Sequence, residues 1–243
     1  FIFTANPEDY TNRGSIVTPL KDRIGSQILT HYPETIEVAK TITSQEAALD
    51  GRQSSTIFIP ELAKDILEQI VFEARKSEFV DVKSGVSARL SITAFENLVS
   101  TAERRLLHSG DDKTGIRMSD FTGIIPALTG KIELVYEGEQ EGAYNVALTL
   151  LGNAIKSLYS EFFPKIEKIE KQGVESPYDE IVSWFFNHSE DFEILDDISE
   201  KDYRSILEKV KPLSEFVLKH QLGVTPEEVC FWQEFVLWSL VEH

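Results

Sequence analysis

The sequence predicts a mainly α protein with a short α/β remnant at its amino end, followed by a helical middle and an all-α carboxyl-terminal extension. Three observations carry that expectation. From Pro60 onward apolar residues recur at three- and four-residue steps, the spacing of one buried helix face. Helix-start signals, Ser176-Pro177-Tyr178-Asp179 and Thr225-Pro226-Glu227-Glu228, punctuate the second half. The two stretches that read as strands both lie before residue 35.

Phe1-Ile2-Phe3-Thr4-Ala5 is a short apolar run of the kind found in a central parallel strand covered on both faces by helices. Such a strand needs neighbours. The chain opens on Phe1 and its single methionine is Met118, so it is expected to be a fragment whose sheet neighbours lie outside it. Thr18–Arg23 predicts a short helix, Ser26–Tyr32 a strand, Pro33–Leu49 a helix and Gly51–Ser55 a loop. A strand, helix, strand order here marks an α/β layer over residues 1–35.

Leu62, Ala63, Ile66, Leu67, Ile70 and Val71 predict a helix to about Ser77, with Pro60 at its first position. Ser91 precedes the next stripe, Ile92 to Leu106, which the turn residues Ser109, Gly110 and Asp111 end. A shorter helix is expected over Ser119–Leu128. Composition shifts near Gly130: residues 1–129 hold 14 basic and 18 acidic side chains, and the remainder 10 and 23. The predicted organisation is therefore 1–35, 36–129 and 130–243. In the last part Val146 to Phe162 forms a long helical stripe, and Ser199 caps a short helix after the acidic stretch Glu190 to Asp197. Lys131–Gly142 is open between strand, helix and acidic loop.

Charge bounds the function. With 24 basic and 41 acidic residues the net charge is -17, so the summed field repels polyanions and no general nucleic-acid binder is expected. No apolar run approaches the roughly 20 residues of a membrane span, which predicts a protein of the cytoplasm rather than the membrane. The single cysteine, Cys230, lies among apolar residues and reads as a buried thiol. The five histidines show no metal-ligand spacing, and a solvated face is the better reading of the acidic stretch.

Ligands of open α/β sheets sit beyond the strand ends, where the chain reaches Asn6. An amide there can orient water against a terminal phosphate; the alternative is a turn-starting Asn ahead of Pro7. Eight of the nine arginines fall before Gly130, which directs any phosphate contact to that part. Arg89, just ahead of the expected helix start, would add forked donors to an anion at that N-terminus, or else form a surface salt bridge.

Taken in order, Phe3-Thr4-Ala5-Asn6-Pro7-Glu8, Pro19-Leu20-Lys21-Asp22-Arg23-Ile24-Gly25 and Gly85-Val86-Ser87-Ala88-Arg89-Leu90-Ser91 resemble three segments of AAA+ ATPases of the magnesium chelatase ATPase subunit and MoxR group. The resemblance covers about the first 130 residues. It implies that Asn6 is the sensor-1 residue, Arg23 the arginine finger offered to a neighbouring subunit, and Arg89 the sensor-2 arginine. Arg13 is a rival finger, and Arg23 could instead pair with Asp22 or Glu8. It further implies the end of an AAA+ core over 1–35, a helical lid over 36–129, ATP and Mg²⁺ as cofactors of the intact parent, a ring of identical copies, and a von Willebrand A domain partner. Lys131–Gly142 also resembles a stretch that follows the lid, with no chemistry attached.

The departures are specific. No Gly-x-x-x-x-Gly-Lys-[Ser/Thr] loop is present, since Gly110-Asp111-Asp112-Lys113-Thr114 lacks the leading glycine, and no apolar strand ends in an Asp-Glu pair. The isolated chain is therefore expected to bind no cofactor and to hydrolyse no ATP. The competing reading is a non-catalytic helical interaction module, with Trp184, Phe185, Phe186, Trp232, Phe235 and Trp238 as a docking face unless they fill the core.

Overall fold

A computed structural model describes residues 1–4, 19, 22–166, 176–188 and 192–242. It divides into two compact units, residues 1–32 and 33–243.

In the first unit the described residues are exposed and none is in a strand. The expected strands at Phe1 and at Ser26–Tyr32 are therefore not formed among these residues. An apolar run is not sufficient for a strand, because its backbone groups need a ladder partner, and no other described segment of this unit supplies one. The rings of Phe1 and Phe3 stack on each other with centroids 6.4 Å apart. Asp22 and Arg23 form a turn; Thr18, Leu20 and Lys21 of the helix expected over Thr18–Arg23 lie outside the described residues.

The second unit is helical. Helix α1 (Ile36–Glu46) starts at Thr35, whose hydroxyl accepts the Val38 N–H. Residues Gly51–Thr56, expected as a loop, form the short helix α2. Its cause is a reciprocal cap: Asp50 Oδ1 accepts the Gln53 N–H at 2.7 Å, and Gln53 Oε1 accepts the Asp50 N–H at 3.2 Å. Strand β1 (Ile57–Phe58) follows and pairs in parallel with β2 (Thr114–Gly115), in register Ile57 with Thr114.

Helix α3 (Glu61–Lys76) has Pro60 as its cap rather than its first residue, and buries the predicted stripe. Helix α4 (Ala88–Ser109) begins earlier than expected, at the Ser87 cap. Ser91 is instead turned inward, donating to Glu68 at 2.7 Å. Gly110 closes α4 in the left-handed region at φ 74°, where a side chain would be strained. The helix expected over Ser119–Leu128 is a 3₁₀ segment (Met118–Ile124) running into α5 (Ile125–Lys131). Gly123 lets that segment lie against α4, since a Cβ there would stand 2.0 Å from Thr101 Oγ1.

Lys131–Gly142 contains an isolated bridge between Leu134 and Val80 and the short helix α6 (Tyr136–Glu141). Helix α7 (Ala143–Phe162) matches its predicted stripe. Helices α8 (Asp179–His188), α9 (Glu200–Glu208), α10 (Lys211–His220) and α11 (Val229–Glu242) complete the unit. Of these, α8, α9 and α11 follow the expected start signals.

Helix α3 packs most extensively on α7, and α7 in turn on α11. One continuous apolar core runs from Ile57 to Val236, so the composition shift at Gly130 is not a break in packing. Charge is set by the outward face and leaves the inward face free to be apolar on both sides of Gly130.

Candidate functional site

Two surface features and one buried network could carry function. The first is the amino end of α4. Ser87 Oγ accepts the Arg89 N–H at 3.1 Å, and the Ser87 carbonyl accepts the Leu90 N–H at 2.9 Å. The preceding loop is pinned on both sides: Arg75 Nε donates to the Val86 carbonyl at 3.3 Å, and the Asp81 N–H to the Glu133 carbonyl at 2.9 Å. Arg89 is the second residue of α4, not ahead of it, and is exposed. It enters no ion pair among the described residues. Because Ser87 already satisfies two N–H groups, the guanidinium is the part of this end best able to hold a phosphate.

Arg23 is exposed in the first unit and likewise enters no ion pair among the described residues. Asn6 and the rival Arg13 lie outside the described residues. Arg23 and Arg89 belong to separate units, each described by itself.

The buried network joins α4, β2, the 3₁₀ segment, α9 and α11. Arg105 Nη2 meets Asp120 Oδ2 at 2.7 Å, and its other amino group donates to Thr114 Oγ1. The same Asp120 oxygen accepts the Arg117 N–H at 2.8 Å. The Arg117 side chain, 1% exposed, lies 4.1 Å from the Tyr203 ring centroid, donates to the Ile198 carbonyl at 3.1 Å and pairs with Glu200 at 3.5 Å. Arg117 Nε and Nη1 are buried without a hydrogen-bond partner among the described residues, and the ring face offsets part of their desolvation. Glu234 Oε2 accepts from both Tyr203 Oη and the Met118 N–H, each at 2.8 Å. Burial pushes the Glu234 carboxyl up to about 7, against the pull of those two donors.

The third feature is an open groove of about 730 Å³ between α8 and the last turns of α11. Val182, Phe185 and Phe186 line one side, Leu240 and Val241 the other, with Phe192 at the end. The aromatic docking face read from the sequence therefore divides. Trp232 and Phe235 are buried in the core, whereas Phe186 is 90% exposed. Cys230 is buried, and burial pushes its thiol up to about 11, as expected for an inert sulfur. Among the described residues no three His, Cys, Asp or Glu side chains are grouped to hold a metal ion.

Sequence reading missed the network because its cluster from Arg105 to Asp120 meets Glu200, Tyr203 and Glu234 only through the fold, at separations of more than 80 residues. The groove was half visible, as the adjacent rings of α8. No family model matches the chain, and no curated protein or solved structure is similar enough to count as a relative.

Proposed function

We propose that this chain acts as the carboxyl-terminal part of a ring-forming AAA+ ATPase of the magnesium chelatase and MoxR type. In this reading the parent binds ATP and Mg²⁺, Arg89 reads the nucleotide's phosphates from the lid, and Arg23, with Asn6, completes catalysis at a subunit boundary. Hydrolysis is coupled to remodelling of a client, with a von Willebrand A domain protein as a candidate partner. The observation that carries it is the state of Arg89. A guanidinium that is exposed and free of ion pairs among the described residues, at the first turn of a 22-residue helix, is placed to answer an anion. Helix α4 packs against α1, α3 and the 3₁₀ segment, so a shift of its amino end moves a packed body rather than a loop.

The test places Arg89→Ala and Arg23→Ala singly in the intact parent and measures ATP turnover. Each is expected to lower it at least tenfold, about 1.4 kcal/mol of barrier. Turnover unchanged in both variants removes the phosphate roles.

A second reading, a helical interaction module, is favoured by the open apolar groove, and one chain can serve both.

A further inference from the structure

Deepening that second reading, we propose that the groove between α8 and α11 seats an amphipathic helix of another protein, its apolar face on Phe186 and Val241 and its lysines and arginines along the edges. The floor supplies the first half of this assignment. Val182, Phe185 and Phe186 share one face of α8, and Val241 opposite them is 85% exposed. Two facing apolar helix edges with a trough between them form the seat that a third helix fills in helix-in-groove recognition.

Charge supplies the second half. The described residues 176–188 and 192–199, which include α8 and Phe192, hold five acidic side chains and no lysine or arginine. Residues 220–243, which include α11, hold no lysine or arginine and four acidic side chains, of which Glu234 is buried in the network. Asp179 and Glu180 open α8 and are exposed, and exposed Glu193 follows Phe192. An apolar trough whose two flanking helices carry acidic side chains and no lysine or arginine, with Lys156 reaching one end of it at Glu242, discriminates for an occupant that is apolar on one face and basic at its flanks. The same charge acts against other occupants. A second copy of this chain and an anionic bilayer are both repelled by a net charge of -17. A small ligand would find only apolar side chains among the described residues of the lining, with none to orient it.

The test uses the 243-residue chain and a fluorescein-labelled peptide made of two Leu-Lys-Lys-Leu-Leu-Lys-Leu repeats, followed by polarisation. Its controls are the same peptide with Glu for Lys and a scrambled Leu/Lys peptide. The ordered basic peptide is expected to bind at least tenfold tighter than either control. Phe186→Ser and Val182→Ser, with helicity unchanged by circular dichroism, should each weaken it tenfold, and raising salt from about 50 to 500 mM should weaken it further. If both serine variants bind as the parent does, the peptide sits elsewhere on the acidic surface and the docking reading of the groove falls. If they weaken binding but the glutamate peptide binds equally well, the groove docks partners and the basic occupant is wrong. Equal binding of the scrambled peptide overturns the helical occupant. A dimer in sedimentation that Phe186→Ser makes monomeric assigns the groove to a second copy and overturns the proposal.

Discussion

The two halves of α11 are alike in sequence and opposite in surroundings. Phe231, Trp232, Phe235 and Val236 are buried, beneath α7, α10 and the 3₁₀ segment. One turn later Leu237 and Leu240 are half-buried and Val241 is exposed. A helix that is apolar on all sides requires cover on all sides. The first half has it; the second has α7 on one side, where Glu242 lies over Gly152 and reaches Lys156 at 3.9 Å, and the open groove on the other. What separates the halves is the presence of a neighbour, not their composition, and that is why the open half draws a functional reading and the closed half a structural one.

The largest expected effect lies in the closed half. Phe235, 0% exposed and packed near the rings of Tyr159 and Trp232, should cost about 3–5 kcal/mol when cut to Ala, read as a lowered urea midpoint. A loss under about 1 kcal/mol would mean that the closed half is not closed.

Next comes Glu234, in the same half. Its folded pKa of about 7 stands above the usual 4.5, so between those values the folded protein keeps a proton that the unfolded chain has lost. Stability from this group is therefore present at low pH, declines as pH rises from about 4.5 to 7, and is flat beyond. Glu234→Gln keeps an acceptor for Tyr203 and Met118 but cannot titrate. Over that window it should lose less stability than the parent, the difference being on the order of 3 kcal/mol, measured by denaturation at several pH values. Identical pH profiles would show the carboxyl to be solvated.

The smallest effect belongs to the open half. Val241→Ser should move stability by no more than about 0.5 kcal/mol, as for other exposed positions. A larger loss would place an internal contact over the groove and close it to partners.

Local signals were legible in the chain. The stripes of α3 and α7 and the caps at Ser176, Ser199 and Thr225 predicted their helices, because spacing and capping act within a few residues. The cap of α2 was also legible, in Asp50 and Gln53, but a helix beginning with Gly51 reads first as a turn. Ser91 reads as the start of α4, and only Glu68, from a different helix, decides that Ser91 faces inward and leaves the cap to Ser87. The strand expectation at Phe1 shows the opposite limit, for pairing belongs to two segments and one cannot reveal it. The Arg105 to Glu234 network is unreadable for the same reason, since apart from the Arg117 N–H on Asp120 its partners come from other elements.

The pairing of α3 with α7 sets a timetable for synthesis. The apolar face around Ile66 is made well before the residues around Leu150 that cover it, and at about 5–20 residues per second on the ribosome the wait lasts on the order of seconds. Throughout that interval the part of the stripe that faces α7 stays open to water even after α1 and α4 have settled on its other sides, a surface of the kind that holdase chaperones take up.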